Sequence, residues 1–184
     1  HFHIPLQSGD DRVLELMQRG YDGAEYVRTI ERIRSAIPHA TVGTDLIVGF
    51  PGEDERAFGQ TCEMVREIGY SNVHIFRYSP RPGTAAASFP HSVSARLMSE
   101  RSERLRRLWE ETLARTLDNR IGSTQDLLVE EHREACWRGY THDYVSVRLF
   151  SDRPISVGDV VSVRITRRSV DVLEGVDDDR TPSC

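Results

Sequence analysis

The sequence contains no lysine, since all 24 of its basic residues are arginine. We attribute this composition to coding bias and derive no function from it. Only three cysteines are present, Cys62, Cys136 and Cys184. They are too scattered for a disulfide framework and form no C-x-x-C metal knuckle, and this pattern is typical of a reducing compartment. We therefore expect a cytoplasmic protein without structural disulfides.

Long apolar segments are also missing. No apolar run approaches the roughly 18 residues that a membrane-spanning helix needs, and no signal peptide opens the chain. We therefore expect no membrane contact. The formal net charge of −5 excludes a uniformly basic nucleic-acid-binding protein but is compatible with a local basic face. Because the chain opens inside a strand-like segment at His1, we interpret it as part of a longer protein.

The first two thirds of the sequence alternate between strand-like and helix-like segments. Short apolar runs predict the strands, and apolar residues spaced three to four apart predict the helices. Repeating strand–helix units imply parallel strands joined by right-handed crossovers. Because three strands cannot close a barrel, we expect residues 1–119 to form the C-terminal half of an α/β barrel. Strands are predicted over 1–6, 40–50 and 72–78, and helices over 10–19, 22–36, 54–68 and 96–119.

The composition changes after Gly122. Short segments rich in β-branched residues and separated by turn signals predict an all-β domain over residues 120–173, small enough for a five-stranded OB-like barrel. Residues 174–184 hold four acids and one arginine, which predicts a disordered acidic tail. The predicted strands are 125–131, 135–141, 144–150, 160–166 and 169–173.

Polar or glycine-rich turns follow all three strands of the α/β part. Ligands bind at the carboxyl ends of parallel strands, so three such turns favour a shared site. Gln7 and Ser8 suit a ribose or a carboxylate, or else they form a capping turn. Gly49 permits close approach of a flat ligand and Glu53 offers an acceptor, or else both belong to a plain strand-to-helix turn. The third turn, residues 78–85, is rich in proline and small residues.

The β-domain carries a candidate RNA-binding set of two aromatic and three basic residues. Such residues supply base stacking and phosphate contacts. The alternative is that they are ordinary surface arginines and cross-strand aromatics. The seven histidines show no ligand spacing, so we predict no metal site, and no side chain is an obvious general acid or base. The RNA-binding candidates are Tyr140, Tyr144, Arg164, Arg167 and Arg168.

Three motifs carry a family resemblance in this order and spacing. The segments HFHIPLQSGDDRVLELMQRGY, TDLIVGFPGE and HIFRYSPRPGTAA, followed by an Arg/Glu/Leu-rich helix, resemble the radical-SAM methylthiotransferases. The β-domain resembles the TRAM domain of that family, an RNA-binding barrel. The resemblance implies S-adenosyl-L-methionine and [4Fe–4S] clusters as cofactors of the parent protein. The cluster motif C-x-x-x-C-x-x-C is absent from this sequence, so we expect these residues to be inactive alone, with no catalytic residue among them.

The resemblance also implies residue roles. Gln7 and Ser8 match the strand end that faces the ribose and methionine of S-adenosyl-L-methionine. Three residues of the second strand match the segment that contacts adenine, and two residues of the third turn lie near it. The cofactor-binding candidates are therefore Gln7, Ser8, Ile47, Gly49, Phe50, Glu53, Thr84 and Ala85.

The segment GYTHDYVSV resembles the GYT-x-N-Y stretch of one branch of the family, with Asp143 in place of the usual asparagine. That branch adds a methylthio group to N6-threonylcarbamoyladenosine beside the tRNA anticodon. The resemblance therefore implies the anticodon stem-loop as partner. The alternatives are the isopentenyladenosine branch, the branch that modifies an aspartate of a ribosomal protein, and a non-catalytic RNA-binding module. The exposed sheet edge at His1 predicts a dimer.

Overall fold

The computed structural model describes residues 1–178 of the chain. It divides into two compact units, Phe2–Thr112 and the residues from Leu113 onwards. The first unit is α/β and the second is a β-barrel. The division falls within helix α4, seven residues before the predicted boundary at 119, because Leu113 and Leu117 pack into the barrel core. The α/β elements are β1 (Phe2–His3), α1 (Asp11–Leu16), α2 (Gly23–Ala36), β2 (Val42–Val48), α3 (Glu55–Ile68), β3 (Asn72–Arg77), a 3-10 turn (Ala85–Ser88) and α4 (Ala95–Asp118).

Aspartates begin three of the helices. The side chains of Asp10, Asp22 and Asp54 accept hydrogen bonds of 2.7–2.9 Å from backbone N–H groups three residues further on. Such N-caps satisfy donors that have no partner inside the helix. Helix α3 ends at Gly69, which takes the left-handed conformation with φ of 64°. Within residues 1–178 no helix combines the length and hydropathy that crossing a bilayer requires.

The sheet of the α/β unit is parallel, with strand order β1-β2-β3. Side chains alternate along β2, so Thr44, Leu46 and Val48 are fully buried in the direction of the helices. Leu46 packs in a core with residues of α2, α3 and α4, including Ile30 and Phe58. Asp45 and Ile47 point to the other face, which we call the open face of the sheet, and are only half-buried.

The second unit is a closed five-stranded barrel with strand order β4-β5-β6-β8-β7. Strands β6 and β8 are parallel, and the other pairs are antiparallel. Closure removes the free edges that an open sheet would expose. The predicted fold class, part of an α/β barrel followed by a small β-barrel, is confirmed. The strands are β4 (Thr124–Arg133), β5 (Cys136–Thr141), β6 (Ser146–Phe150), β7 (Val160–Ser169) and β8 (Val172–Asp177).

The prediction of a disordered tail from residue 174 is wrong for its first part. Strand β8 continues to Asp177, and Glu174 within it is buried. The Glu174 carboxylate lies 2.5 Å from Arg167 Nε and 3.6 Å from Arg148 Nη1, so two guanidinium groups compensate its charge. An acidic residue paired in this way can belong to a strand, which a count of charges does not reveal. Residues 179–184 lie outside the described part of the chain.

Candidate functional site

A cavity of about 560 Å³ opens where β2 and β3 end. Both strands are parallel, so their carboxyl ends lie at the same edge of the sheet and the turns that follow them meet there. Ile47 and Phe76 are register partners on these strands and contribute side chains from the open face. The cavity is lined by Arg19, Ile47, Phe50, Phe76, Arg77, Tyr78, Ser79, Arg81, Thr84 and Ala86.

Aromatic rings form much of this lining. The rings of Phe50 and Tyr78 lie edge to face with centroids 5.2 Å apart, and Phe50 also meets Phe89 edge to face at 6.3 Å. Phe76 is about half exposed. The Tyr78 hydroxyl is buried and has no hydrogen-bond partner among the described residues. A buried hydroxyl without a partner is costly, so it favours a polar ligand group at this place.

Gly49 and Glu53 belong to a buried network beside the cavity. Glu53 Oε2 accepts hydrogen bonds from Gly49 N at 2.7 Å and from Arg101 Nη1 at 2.8 Å. Burial raises the pKa of Glu53, and the bonds from Gly49 and Arg101 oppose that rise. Gly49 has a φ of 79°, and a Cβ there would lie 2.2 Å from Cγ of Met98. Glycine is required here for packing against α4.

A contact of Gly49 and Glu53 with a cofactor stays a prediction, and both residues already have partners inside the protein. The Gly49 N–H and one oxygen of Glu53 are both used inside the protein. The alternative interpretation of this segment, a strand-to-helix turn, describes its geometry. The sequence did not reveal the network because Arg101 lies 48 residues further along the chain.

Gln7 and Ser8 are also buried rather than open to the cavity. Gln7 adopts a φ of 71°, a conformation uncommon for residues other than glycine. Its backbone donates to Asp45 O at 2.8 Å and accepts from Ile47 N at 2.9 Å. Ser8 Oγ accepts from Asp10 N at 3.3 Å, which matches the capping-turn alternative. These two hydrogen bonds to β2 hold Gln7 in its uncommon backbone conformation.

The third turn contributes directly to the cavity. Thr84 lines it, and its Oγ1 donates to Arg81 O at 2.8 Å. Ala85 begins the 3-10 turn, and the neighbouring Ala86 lines the cavity in its place. Of the eight predicted cofactor residues, the structure brings Ile47, Phe50 and Thr84 together around the cavity. Their role in binding S-adenosyl-L-methionine stays a prediction.

Sequence reasoning missed part of this lining. Phe76 alternates with Ile75 on β3, and this parity is the signal that places it on the open face. Arg19 and Arg81 bring guanidinium groups from distant parts of the sequence. Guanidinium groups bind carboxylates and phosphates. The cavity therefore combines an apolar aromatic wall with cationic groups, which suits a ligand with a flat ring and an anionic end.

The predicted RNA-binding tyrosines form an exposed pair on the barrel. Tyr144 is 64% exposed, and its ring lies 5.2 Å from that of Tyr140 at an angle of 31°. Across the outer barrel surface Tyr140 pairs with Leu128, and Leu128 pairs with Val160. All of these side chains are exposed. The row offers flat apolar surface of the kind on which unpaired bases stack.

The three predicted arginines differ in their partners. Arg167 lies 2.5 Å from Glu174, and Arg168 lies 2.7 Å from Asp118. Arg164 on β7 has an exposed position, and no acid of residues 1–178 lies within ion-pair distance of it. A role for all three arginines in phosphate contact stays a prediction, and two of them would have to exchange an acidic partner for the phosphate. Only Arg164 presents a guanidinium without a competing acid in the described part of the chain.

One group of potential metal ligands lies on the open face of the sheet. His3, Asp45 and His74 bring three ligand atoms within 4.8 Å of one another. The histidine spacing in the sequence does not indicate this group because its members come from three different strands. The spacing of the histidines predicted no metal site. Strand pairing nevertheless brings three candidate ligands together.

The fold and cavity define a class: an α/β unit with a ligand cavity at the carboxyl ends of parallel strands, joined to a closed five-stranded barrel. The model of the radical SAM superfamily matches residues 1–65. The chain is 40% identical over 181 residues to the tRNA-2-methylthio-N(6)-dimethylallyladenosine synthase of Pelotomaculum thermopropionicum, covering 96% of this chain and 40% of that protein. The chain belongs to the radical-SAM methylthiotransferase family.

Two further relatives have the same name. The protein of Chloroflexus aurantiacus is 42% identical over 178 residues, covering 95% of this chain and 38% of the relative. That of Streptomyces coelicolor is 42% identical over 172 residues, covering 89% of this chain and 34% of the relative. The chain therefore spans about two fifths or less of the length of these curated relatives. The matches include both structural units.

Proposed function

We propose that this chain contributes to a radical-SAM tRNA methylthiotransferase that adds a methylthio group to N6-dimethylallyladenosine. The main support is a sequence identity of about 40%, across both units, to proteins named for that product. This substrate is the isopentenyladenosine alternative of the sequence analysis. It replaces N6-threonylcarbamoyladenosine as the preferred substrate, because none of these relatives is named for the latter.

The motif that suggested threonylcarbamoyladenosine has a structural task. Asp143, in the middle of GYTHDYVSV, is buried and forms an ion pair with Arg120. Thr141 Oγ1 donates to Asp143 at 2.5 Å and accepts from Val145 N at 3.0 Å. Burial by itself would raise the pKa of Asp143, but the hydrogen bonds from Arg120 and Thr141 hold it below its usual value. A motif that builds a turn gives little information about the substrate.

The cavity at the ends of β2 and β3 is our proposed site for S-adenosyl-L-methionine. Ile47, Phe50 and Phe76 would hold the adenine ring against an apolar wall, and the Tyr78 hydroxyl would bond to a polar group of the ligand. Arg81 would pair with the methionine carboxylate. When reductively cleaved at a [4Fe–4S] cluster, this cofactor supplies the radical chemistry of the family. The side chains of this unit bind and orient it and exclude water.

The chain alone is proposed to be inactive. It has three cysteines and no C-x-x-x-C-x-x-C motif, and Cys62 and Cys136 are buried in different units. These cysteines cannot hold a [4Fe–4S] cluster through that motif. Cluster binding in the active enzyme would therefore depend on residues outside this sequence.

The barrel is proposed to act as a TRAM-like domain that holds the anticodon stem-loop. Tyr140 and Tyr144 would stack on unpaired bases, and Arg164 would contact a phosphate. Because the barrel between residues 119 and 172 has eight arginines and eight acids, affinity would come from local contacts rather than from net charge. A cytoplasmic location belongs to the same proposal, since tRNA is modified there.

Dimerisation through the edge of the sheet stays a prediction. The edge strand β1 has only two residues, Phe2 and His3, and therefore offers few backbone groups for pairing. We expect any such dimer to be weak. Light scattering of the chain at increasing concentration would test it, and a constant monomer mass would contradict it.

Nucleoside mass spectrometry of tRNA tests the proposed substrate. In cells that lack the gene carrying this sequence, the 2-methylthio form of N6-dimethylallyladenosine should disappear and its unmethylthiolated precursor should accumulate. Loss of 2-methylthio-N6-threonylcarbamoyladenosine instead would restore the other tRNA branch. Unchanged tRNA would overturn the proposal and leave the ribosomal-protein target or a non-catalytic RNA-binding module.

A further inference from the structure

Three side chains from adjacent strands meet on the open face of the sheet. Asp45 on β2 is the register partner of His74 on β3. His3 on β1 pairs with Gly43, two residues before Asp45 on the same face of β2. Parallel pairing therefore places an imidazole on each side of one carboxylate. All three residues belong to the α/β unit.

The distances match those between ligands of a single metal ion. Asp45 Oδ1 lies 3.0 Å from His3 Nε2 and 3.0 Å from His74 Nδ1. Bonds from a transition metal to nitrogen or oxygen are about 2.0–2.2 Å long, so neighbouring ligand atoms are roughly 3 Å apart. All three ligand atoms lie within 4.8 Å of one another, which is close enough for one ion to contact them all.

The charge of the group also favours a cation. The Asp45 side chain is 25% exposed, and within residues 1–178 its ion-pair contacts are with His3 and His74 alone. No arginine of that part of the chain lies within ion-pair distance of it. The half-buried carboxylate therefore has no guanidinium as a permanent countercharge among the described residues. A bound cation would supply it.

A supporting contact orients one of the rings. Asn72 Nδ2 lies 3.2 Å from His74 Nε2. Since the oxygen and nitrogen of an amide are interchangeable by a flip, the Asn72 amide oxygen can equally accept a hydrogen bond from the Nε2–H of His74. Metal-binding histidines usually donate their other ring N–H to such an acceptor. Access is open, because the side chains of His3 and His74 are 37% and 52% exposed.

We propose that His3, Asp45 and His74 bind a divalent first-row transition-metal ion. Two imidazoles and one carboxylate form a ligand set that suits Zn²⁺, Fe²⁺ and Co²⁺ and leaves coordination positions open for water or another ligand. The site uses no cysteine. It does not depend on the proposed substrate.

Titration of the 184-residue chain with Co²⁺ tests the site. Visible absorption reports the coordination of Co²⁺, and displacement by Zn²⁺ reports the relative affinity. We expect one equivalent of Co²⁺ to bind the unchanged chain and the His39→Ala variant, whose histidine is exposed and is not a member of the group. Asp45→Asn and His74→Ala should weaken binding more than 100-fold, and Asn72→Ala about 10–100-fold.

Two outcomes overturn the proposal. Absence of binding to the unchanged chain would leave Asp45 as a hydrogen-bonded bridge between two histidines. Binding that survives both Asp45→Asn and His74→Ala would assign the ion to another place, such as the chain terminus with His1 and His3. Circular dichroism of each variant shows that a loss of binding is not a loss of fold. Asp45→Asn keeps the side-chain shape and serves as the decisive variant.

Discussion

Replacing Arg101 by methionine removes the guanidinium that pairs with Glu53. The two side chains are 3% and 1% exposed, and Arg101 Nη1 donates to both the carboxylate and the backbone carbonyl of Glu53. Methionine has a similar length and preserves an apolar contact with Phe58, over whose ring the guanidinium now lies at 5.2 Å. The perturbation therefore isolates the loss of the positive charge.

The expected cost is large because one charge stays buried without its partner. Removing one member of a buried ion pair typically destabilises a protein by about 3–5 kcal/mol. A domain of ordinary stability has about 5–15 kcal/mol in total. We therefore expect Arg101→Met to consume a substantial part of the free energy of unfolding of the α/β unit.

Arg104→Met is the matched control. Arg104 lies nearly one turn further along α4, stacks over the same Phe58 ring at 4.9 Å, and pairs with Glu55 at 2.7 Å. Both members of that pair are more than half exposed, so solvent screens their attraction. We expect a cost of about 0–1 kcal/mol. The difference between the two variants measures burial of the charge, with chemistry and location held constant.

The loss in Arg101→Met should depend on pH. Burial raises the pKa of Glu53 in the folded protein above its ordinary value of 4.5, and removal of Arg101 raises it further. At a pH between the ordinary pKa of 4.5 and the raised pKa of the folded variant, Glu53 holds a proton in the folded state that it has lost in the unfolded state. Stability is therefore retained below pH 4.5 and declines as pH rises, by up to about 1.4 kcal/mol per pH unit.

Urea unfolding at pH 5 and at pH 8 measures both effects. The fluorescence of Trp109, whose Nε1 donates to Tyr70 O at 3.1 Å, reports on the α/β unit when Trp137 of the barrel is replaced by phenylalanine. We expect a lower midpoint for Arg101→Met than for Arg104→Met, with the gap widening at pH 8. Equal midpoints at pH 8, or a gap that narrows as pH rises, would refute the reasoning.

Three further predictions concern packing, RNA binding and the barrel turn. Gly49→Ala should lower the free energy of unfolding by roughly 2–5 kcal/mol, since the φ of Gly49 is 79° and the Met98 side chain occupies the place of the new Cβ. Adding Met98→Ala should recover part of this loss in thermal unfolding. No recovery would reject the steric cause. Under the proposed function, Tyr144→Ala should weaken anticodon stem-loop binding about 5–150-fold in fluorescence anisotropy, whereas exposed Val170→Ala should not, and equal losses would contradict stacking. Asp143→Asn should lower the free energy of unfolding by about 1.5–3 kcal/mol at pH 7. Because the pKa of Asp143 is depressed in the folded state, the unchanged chain should lose this extra stability in calorimetry as pH falls through that pKa. A stability difference that stays constant with pH would contradict this.

Local patterns predicted most of the fold. Apolar periodicity marked the helices of the α/β unit, and β-branched segments separated by turn signals marked the five barrel strands. Phe58, Cys62, Val65 and Ile68, spaced three to four apart along α3, are all buried. The pattern failed at Glu174, because its place in β8 depends on arginines contributed by two other strands. Which strands pair with one another cannot be predicted from a short segment of sequence.

The candidate site was only partly predictable for the same reason. The family resemblance led to Ile47, Phe50 and Thr84, which do line the cavity. It also led to Glu53, whose charge is neutralised by Arg101 from a helix far along the chain. An exposed acid just before a helix and a buried one look alike in the sequence. Only the tertiary partner separates a ligand-binding acid from a structural one.

The alternation of side chains along β2 and β3 separates core residues from candidate site residues more clearly than the sequence motifs do. Thr44, Leu46 and Val48 face the helices and build the core, whereas Asp45 and Ile47 face the open side. On β3 the register partners of these two residues are His74 and Phe76. The open face therefore carries two cross-strand rows, an apolar one next to the cavity and a polar one, with the metal-ligand geometry, two residues earlier. A shift of one residue in register would bury the polar row and expose the core, so the same packing that stabilises β2 fixes both candidate sites.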